Sequence, residues 1–207
     1  MGFEDKPTNR CRFAGARLKV IMDPSAGQSV LMYFVLPLWL AAGFADYLCH
    51  RATSIETTSG YKESLLHLLQ FAEMAVPTLA AIFLEINALI ILVMLISLVL
   101  HQLTAMWDVR YAYHRREVTP TEQHVHSVLE MLPLAALLIV VLLHWPQFLA
   151  LFGTGSESAD FAIRLKAEPL PWLYVTVMLT LVLVFEVLPY LEEFARGLRS
   201  RRDAARR

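Results

Sequence analysis

Between Ser64 and Leu100 the chain runs for thirty-seven residues with His67, Glu73 and Glu85 as its only ionisable side chains. Few folds accommodate such a stretch. As one helix it would extend about 55 Å, nearly twice the ~30 Å of a bilayer's hydrocarbon core. The whole chain is 57% hydrophobic and 18% charged, with a mean hydropathy of +0.49. A soluble domain of this length would need more polar surface. The expected class is all-α, an integral membrane bundle of four or five transmembrane helices.

Three further apolar segments frame the rest. A polar leader, residues 1–28, precedes a bundle over 29–192, and a basic tail, RGLRSRRDAARR, closes the chain within 193–207. The first span covers about 29–50, with Pro37 as the expected kink. Ser59 or Gly60 begins the second helix. Thr119-Pro120-Thr121-Glu122 reads as a helix start, with a Thr cap, Pro in the first position and Glu closing a capping box. The later spans fall near 127–146 and 170–190, separated by the loop GTGSESADFAIRLKAEP.

The long run decides the span count. If a half-embedded helix ends near Pro77, the total is four. If the chain turns around Glu85-Ile86-Asn87, it is five. Lys and Arg counts favour four spans with both termini cytoplasmic, and the turn lacks Gly or Pro. Run length and the ligand pattern favour five, the preferred reading. In either case the Arg-rich C-terminus is expected on the cytoplasmic side.

Several classes are set aside. The opening MGFEDKPTNRCRF is polar, so no signal peptide is expected. Cys11 and Cys49 are too few for a disulfide framework or a thiolate zinc site. No Gly-rich phosphate loop and no basic-aromatic surface is visible, so neither a nucleotide nor a nucleic acid is an expected partner.

The chemistry lies at the span ends. Residues four apart share a helix face, and Asp46 with His50, Glu63 with His67, and His126 with Glu130 have that spacing. Glu122 lies one turn before His126, and His101 and Asp108 are two turns apart. Carboxylate and imidazole together suit iron, manganese or zinc, and a pair of metals needs several helices to supply its ligands. Ionisable groups at the edge of hydrocarbon are costly and mark function by default. Asp46, His50, Glu63, His67, His101, Asp108, Glu122, His126 and Glu130 are therefore the candidate metal ligands.

Each has a plainer reading. Glu122 can close the capping box, Glu63 can favour the helix dipole, and any one pair can be a local hydrogen bond. His124 and His114 are expected in solvent and His144 at the far interface. Glu73 and Glu85 are weaker candidates, Glu186 can reach the same face, and Trp107, Trp145 and Trp172 are expected interfacial anchors. With five spans the pairs converge at one membrane face. With four they separate to opposite faces.

DYLCHR, SGYKESLLH, HQLTAMWD and TPTEQHVHSVLEMLP resemble a group of small, uncharacterised bacterial multi-span membrane proteins, some carrying a diguanylate-cyclase label. The resemblance implies a bacterial inner membrane but no established activity, and this chain has no GGDEF-type segment. More distantly, the chain looks like the membrane-bound di-iron hydroxylases and desaturases, which oxidise lipid-like chains with dioxygen at the cytosolic ends of their spans. Their HxxHH clusters are absent, HVH at 124–126 coming closest, and the acid–imidazole spacing is ExxxH rather than ExxH.

The expected function is accordingly a membrane metalloprotein, with two irons (or manganese or zinc) and a lipid-like or quinone substrate oxidised with oxygen. The alternatives are a transporter or proton- or metal-conducting protein, with Glu73 and Glu85 in its path, and a non-enzymatic membrane subunit.

Overall fold

A computed structural model describes residues 24–206. Cys11 and most of the polar leader lie outside the described residues. Within them the chain is helical, with one isolated bridge between Leu84 and Leu165 as its only strand-like pairing. Five helices are long and apolar enough to cross a membrane: α1 (Ser25–Ala52), α2 (Tyr61–Phe83), α3 (Ala88–Tyr113), α4 (Pro120–Leu143) and α6 (Trp172–Ala204). A short α5 (Trp145–Leu151) follows α4.

The thirty-seven-residue run is thus two helices, and the Lys/Arg argument for four spans is overruled by local backbone chemistry. Leu84 and Asn87 are extended, with φ of −105° and −129°, so the turn needs no glycine. The groups leaving the helices find partners in the loop before α6. Glu85 N donates to Arg164 O (2.9 Å), Lys166 N to Phe83 O (3.0 Å), and Ala167 N to Glu85 Oε1 (2.6 Å). Asn87 caps α3 by accepting from Ile90 N (3.2 Å) while donating to Ala162 O (2.7 Å). With its backbone satisfied in this way, a chain can turn at the edge of hydrocarbon. Glu85 therefore belongs to the turn, not to the bilayer interior.

The first and last spans share a device. Each contains a five-residue π-turn, Leu31–Val35 in α1 and Leu183–Val187 in α6, closed by the amide of Leu36 or Leu188. Pro37 and Pro189 follow directly. Proline offers no amide to the helix ladder, and the wider turn takes up the mismatch where a plain kink was expected. The π-turn of α6 places Glu186 against Gly43 of α1. A Cβ on Gly43 would stand 2.5 Å from both Glu186 carboxylate oxygens, so a larger residue there would displace the Glu186 side chain.

At the turn end of the bundle, Ile90, Ile91 and Met94 of α3 pack against Leu137, Val140 and Val141 of α4 as a dry core. The other end is polar. The C-terminal halves of α1, α3 and α6 and the N-terminal halves of α2 and α4 meet there, because successive spans alternate in direction.

Candidate metal centre

Four buried helix ends and α6 surround two imidazoles. His50 of α1 and His67 of α2 are stacked, with ring centroids 4.3 Å apart and planes 8° from parallel. One carboxylate holds both rings. Glu193 Oε2 lies 3.0 Å from His50 Nδ1 and Glu193 Oε1 lies 3.1 Å from His67 Nδ1. His50 and Glu193 are both fully buried.

The opposite nitrogens face oxygen. Asp46 Oδ2 and Glu122 Oε1 are 3.4 and 3.6 Å from His50 Nε2. Asp108 Oδ2 is 3.1 Å from His67 Nε2, and Asp46 Oδ1 is 2.9 Å from His126 Nε2. Neither His50 Nε2 nor His67 Nε2 has a well-formed hydrogen bond, and Asp46 Oδ1 and Asp108 Oδ1 share that condition. Oxygens that crowd a nitrogen without lying on its N–H line are disposed as donors around a common cation would be. Asp46, His50, Glu122 and His126 each bring one donor atom to within 4.8 Å of the others, as do His50, Glu63 and His67.

The charge inventory is lopsided. Asp46, Glu63, Asp108, Glu122 and Glu193 are all buried, and among the described residues Arg116 is the one guanidinium set between two of them. It lies in the connector before α4, its side chain 2% exposed. Its Nη2 sits 2.6 Å from Glu63 Oε1 and 2.5 Å from Glu122 Oε1, and Nη1 2.9 Å from Glu122 Oε2. Burial works against its charge, but the bonds to Glu122 and Glu63 outweigh that and raise its pKa further above the ordinary arginine value. The remaining negative charge is costly in a low-dielectric site unless cations or protonated imidazoles balance it.

Of the expected ligands, Asp46, His50, Glu63, His67, Asp108, Glu122 and His126 come together. His101 and Glu130 do not join them. His101 sits deeper along α3 with Nδ1 3.9 Å from Glu73 Oε2, while Thr104 Oγ1 donates to Glu73 Oε1 at 2.8 Å. Glu130 lines a neighbouring cavity. The pairing within each helix is also less important than expected, since His126 meets Asp46 of α1 and His67 meets Asp108 of α3. Thr119 Oγ1 accepts from Glu122 N (3.2 Å) as a cap should, but the Glu122 side chain turns to Arg116 and leaves the capping box open. His124 and His114 are exposed.

Three residues escape the sequence pattern. Glu193 falls inside the stretch assigned to the basic tail, although it stands two turns after Glu186 on one face of α6. Tyr190, one turn before it, donates to Gly43 O (3.0 Å) and meets Asp46 Oδ2 at 3.2 Å. Arg116 is one of several connector cations, and only the fold singles it out. No protein-family model matches this chain, and no curated protein or solved structure is similar to it.

Proposed function

We propose that the cluster is a two-metal centre at the cytosolic edge of a bacterial inner membrane, acting on a membrane-soluble substrate. The observation that carries this reading is the stacked His50–His67 pair, with both Nδ1 atoms tied to Glu193 and both Nε2 atoms turned toward carboxylates. A carboxylate on the far nitrogen is the usual outer-shell support of a ligating histidine, fixing its tautomer and ring plane. Parallel rings 4.3 Å apart point their Nε2 atoms the same way, so that two neighbouring ions could be held side by side. One ion would take Asp46, His50, Glu122 and His126, the other His67 and Glu63 of the second converging group, with Asp108 beside His67 Nε2. Arg116 would anchor Glu122 and Glu63 from outside.

An all-nitrogen-and-oxygen donor set favours iron, with manganese or zinc as alternatives. Two irons would supply dioxygen activation. One oxygen atom would enter a C–H bond of a lipid-like or quinone substrate and the other leave as water, with two protons and two electrons from an external reductant. Elemental analysis of detergent-purified protein tests the site. Two ions per chain are expected, with loss of at least one in His67→Ala and in His126→Ala. Either variant retaining both ions would refute a shared centre.

One observation favours a second reading, proton or ion conduction. Glu73, His101 and Thr104 form a polar group midway along α2 and α3, and Gln70 Nε2 one turn away donates to Asp108 Oδ2 at 3.1 Å. Ionisable groups at that depth commonly line ion paths. Proteoliposomes carrying Glu73→Gln protein would conduct as well as wild type if the path does not exist.

A further inference from the structure

A cavity of about 530 Å³ opens beside the cluster, bounded by α1, α2, α3, α4 and α6. That volume is typical of sites for small organic ligands. Along α2 its lining runs from His67 to Ile82, fifteen residues or about 22 Å at 1.5 Å each, most of a ~30 Å hydrocarbon core. The lining is mainly apolar, with Gln70, His101 and Glu130 among its polar members. Trp39, Phe71, Met74, Leu79, Ile82 and Met178 surround the deep part. Asp46, Asp108 and Glu186 close the end next to the cluster, and each has a buried oxygen without a hydrogen-bond partner.

These acceptors are not equivalent. Asp46 and Asp108 face the imidazoles of the proposed centre. Glu186 stands apart from that ligand set, buried on α6 and pressed on Gly43, with Oε1 unsatisfied. An unpaired buried acceptor carries a penalty that a donor group would remove. A carboxylate or phosphate head brings only acceptors and negative charge to this end, and is disfavoured twice. A hydroxyl head brings a donor and no charge.

We infer that the cavity seats one long-chain alcohol, its tail running toward the α2–α3 turn and its hydroxyl donating to Glu186 beside the imidazole cluster. The role of this molecule as substrate rests on the metal reading above, whereas its binding does not. In this pose the carbons nearest the hydroxyl face the proposed centre, so the head group selects which part of the chain is presented. Gly43 is then a specificity residue, because any larger side chain would push Glu186 aside.

The test uses full-length protein in nanodiscs and two probes, hexadecanol and hexadecanoic acid, each carrying a photoreactive diazirine at the chain terminus. The expected result is labelling of peptides around Ile82 and Met178 by the alcohol, about tenfold stronger than by the acid, as one hydrogen bond allows. Ala75→Phe and Val182→Phe, on different helices, fill the cavity. Both are expected to abolish deep labelling while retaining the wild-type metal content. Glu186→Leu is expected to erase the preference for alcohol over acid. Equal labelling by the two probes, labelling confined to outward-facing side chains, or wild-type labelling of both filled variants would overturn the inference. Deep labelling of protein that binds no metal would leave the cavity site standing and remove the metal reading. Stoichiometric metal without deep labelling would do the reverse.

Discussion

His50 and His67 come from different helices, yet a single carboxylate, Glu193 on α6, holds them in register with distances of 3.0 and 3.1 Å to their Nδ1 atoms. The last span is therefore part of the polar centre rather than a bystander to it. Loss of such an outer carboxylate typically weakens metal binding 10–100-fold. Glu193→Gln is expected to fall in that range, read as the chelator concentration that strips half the metal, with little change in helix content. Unchanged chelator resistance would mean that Glu193 only packs the helices.

Arg116 forks between Glu63 and Glu122 in a buried setting. Removing one partner of such a network leaves charges without compensation, at a cost of about 3–5 kcal/mol. Arg116→Met is expected to lower the unfolding midpoint of detergent-solubilised protein markedly. Arg116→Lys should recover only part of the loss, because an ammonium cannot reproduce the planar fork. Full recovery by lysine would show that charge alone matters there.

Gly43 and Glu186 occupy one space. Overpacking a tight contact of this kind costs about 1–3 kcal/mol, so Gly43→Val is expected to be destabilised by that amount. The double variant Gly43→Val/Glu186→Ala should regain most of it. A double variant no more stable than the single one would contradict the contact.

Much of this arrangement is legible in the sequence, and the exceptions have physical causes. Helix-period spacing places Asp46 with His50 and Glu63 with His67, and the length of the 64–100 run requires a break, near Pro77 or near Glu85. The break is harder to read because its signal is a distributed one. Asn87 is a single capping residue, and the backbone partners come from residues 160–167, far along the chain. Glu193 is hidden by composition, since the arginines after it make the segment look like a solvated tail. Arg116 and His101 show the limit from both sides. One is an ordinary connector cation brought into the centre by folding, and the other is a helix-face histidine left a few turns too deep.

The five-span fold makes opposite ends of the bundle testable from outside the cell. The cluster end carries Arg51, Arg110, Arg115, Arg116 and the arginines of the tail, and cationic connectors stay in the cytoplasm. Cysteine introduced at Ser156, in the exposed loop before α6, is expected to react with an impermeant maleimide in intact cells. Cysteine at Thr57, between α1 and α2, should react only after permeabilisation. The reverse pattern would invert the orientation, and labelling of both sites from the same side would break the five-span arrangement.

The most direct measurement of the metal reading is an anomalous-difference map from crystals of protein purified without chelators. Two peaks roughly 3.5–4 Å apart are expected, on the Nε2 side of both His50 and His67 and flanked by Asp46, Asp108, Glu122 and His126. An empty map at full occupancy of the polypeptide, or peaks only at surface carboxylates, would contradict it and leave the imidazoles as protonated partners of the buried acids.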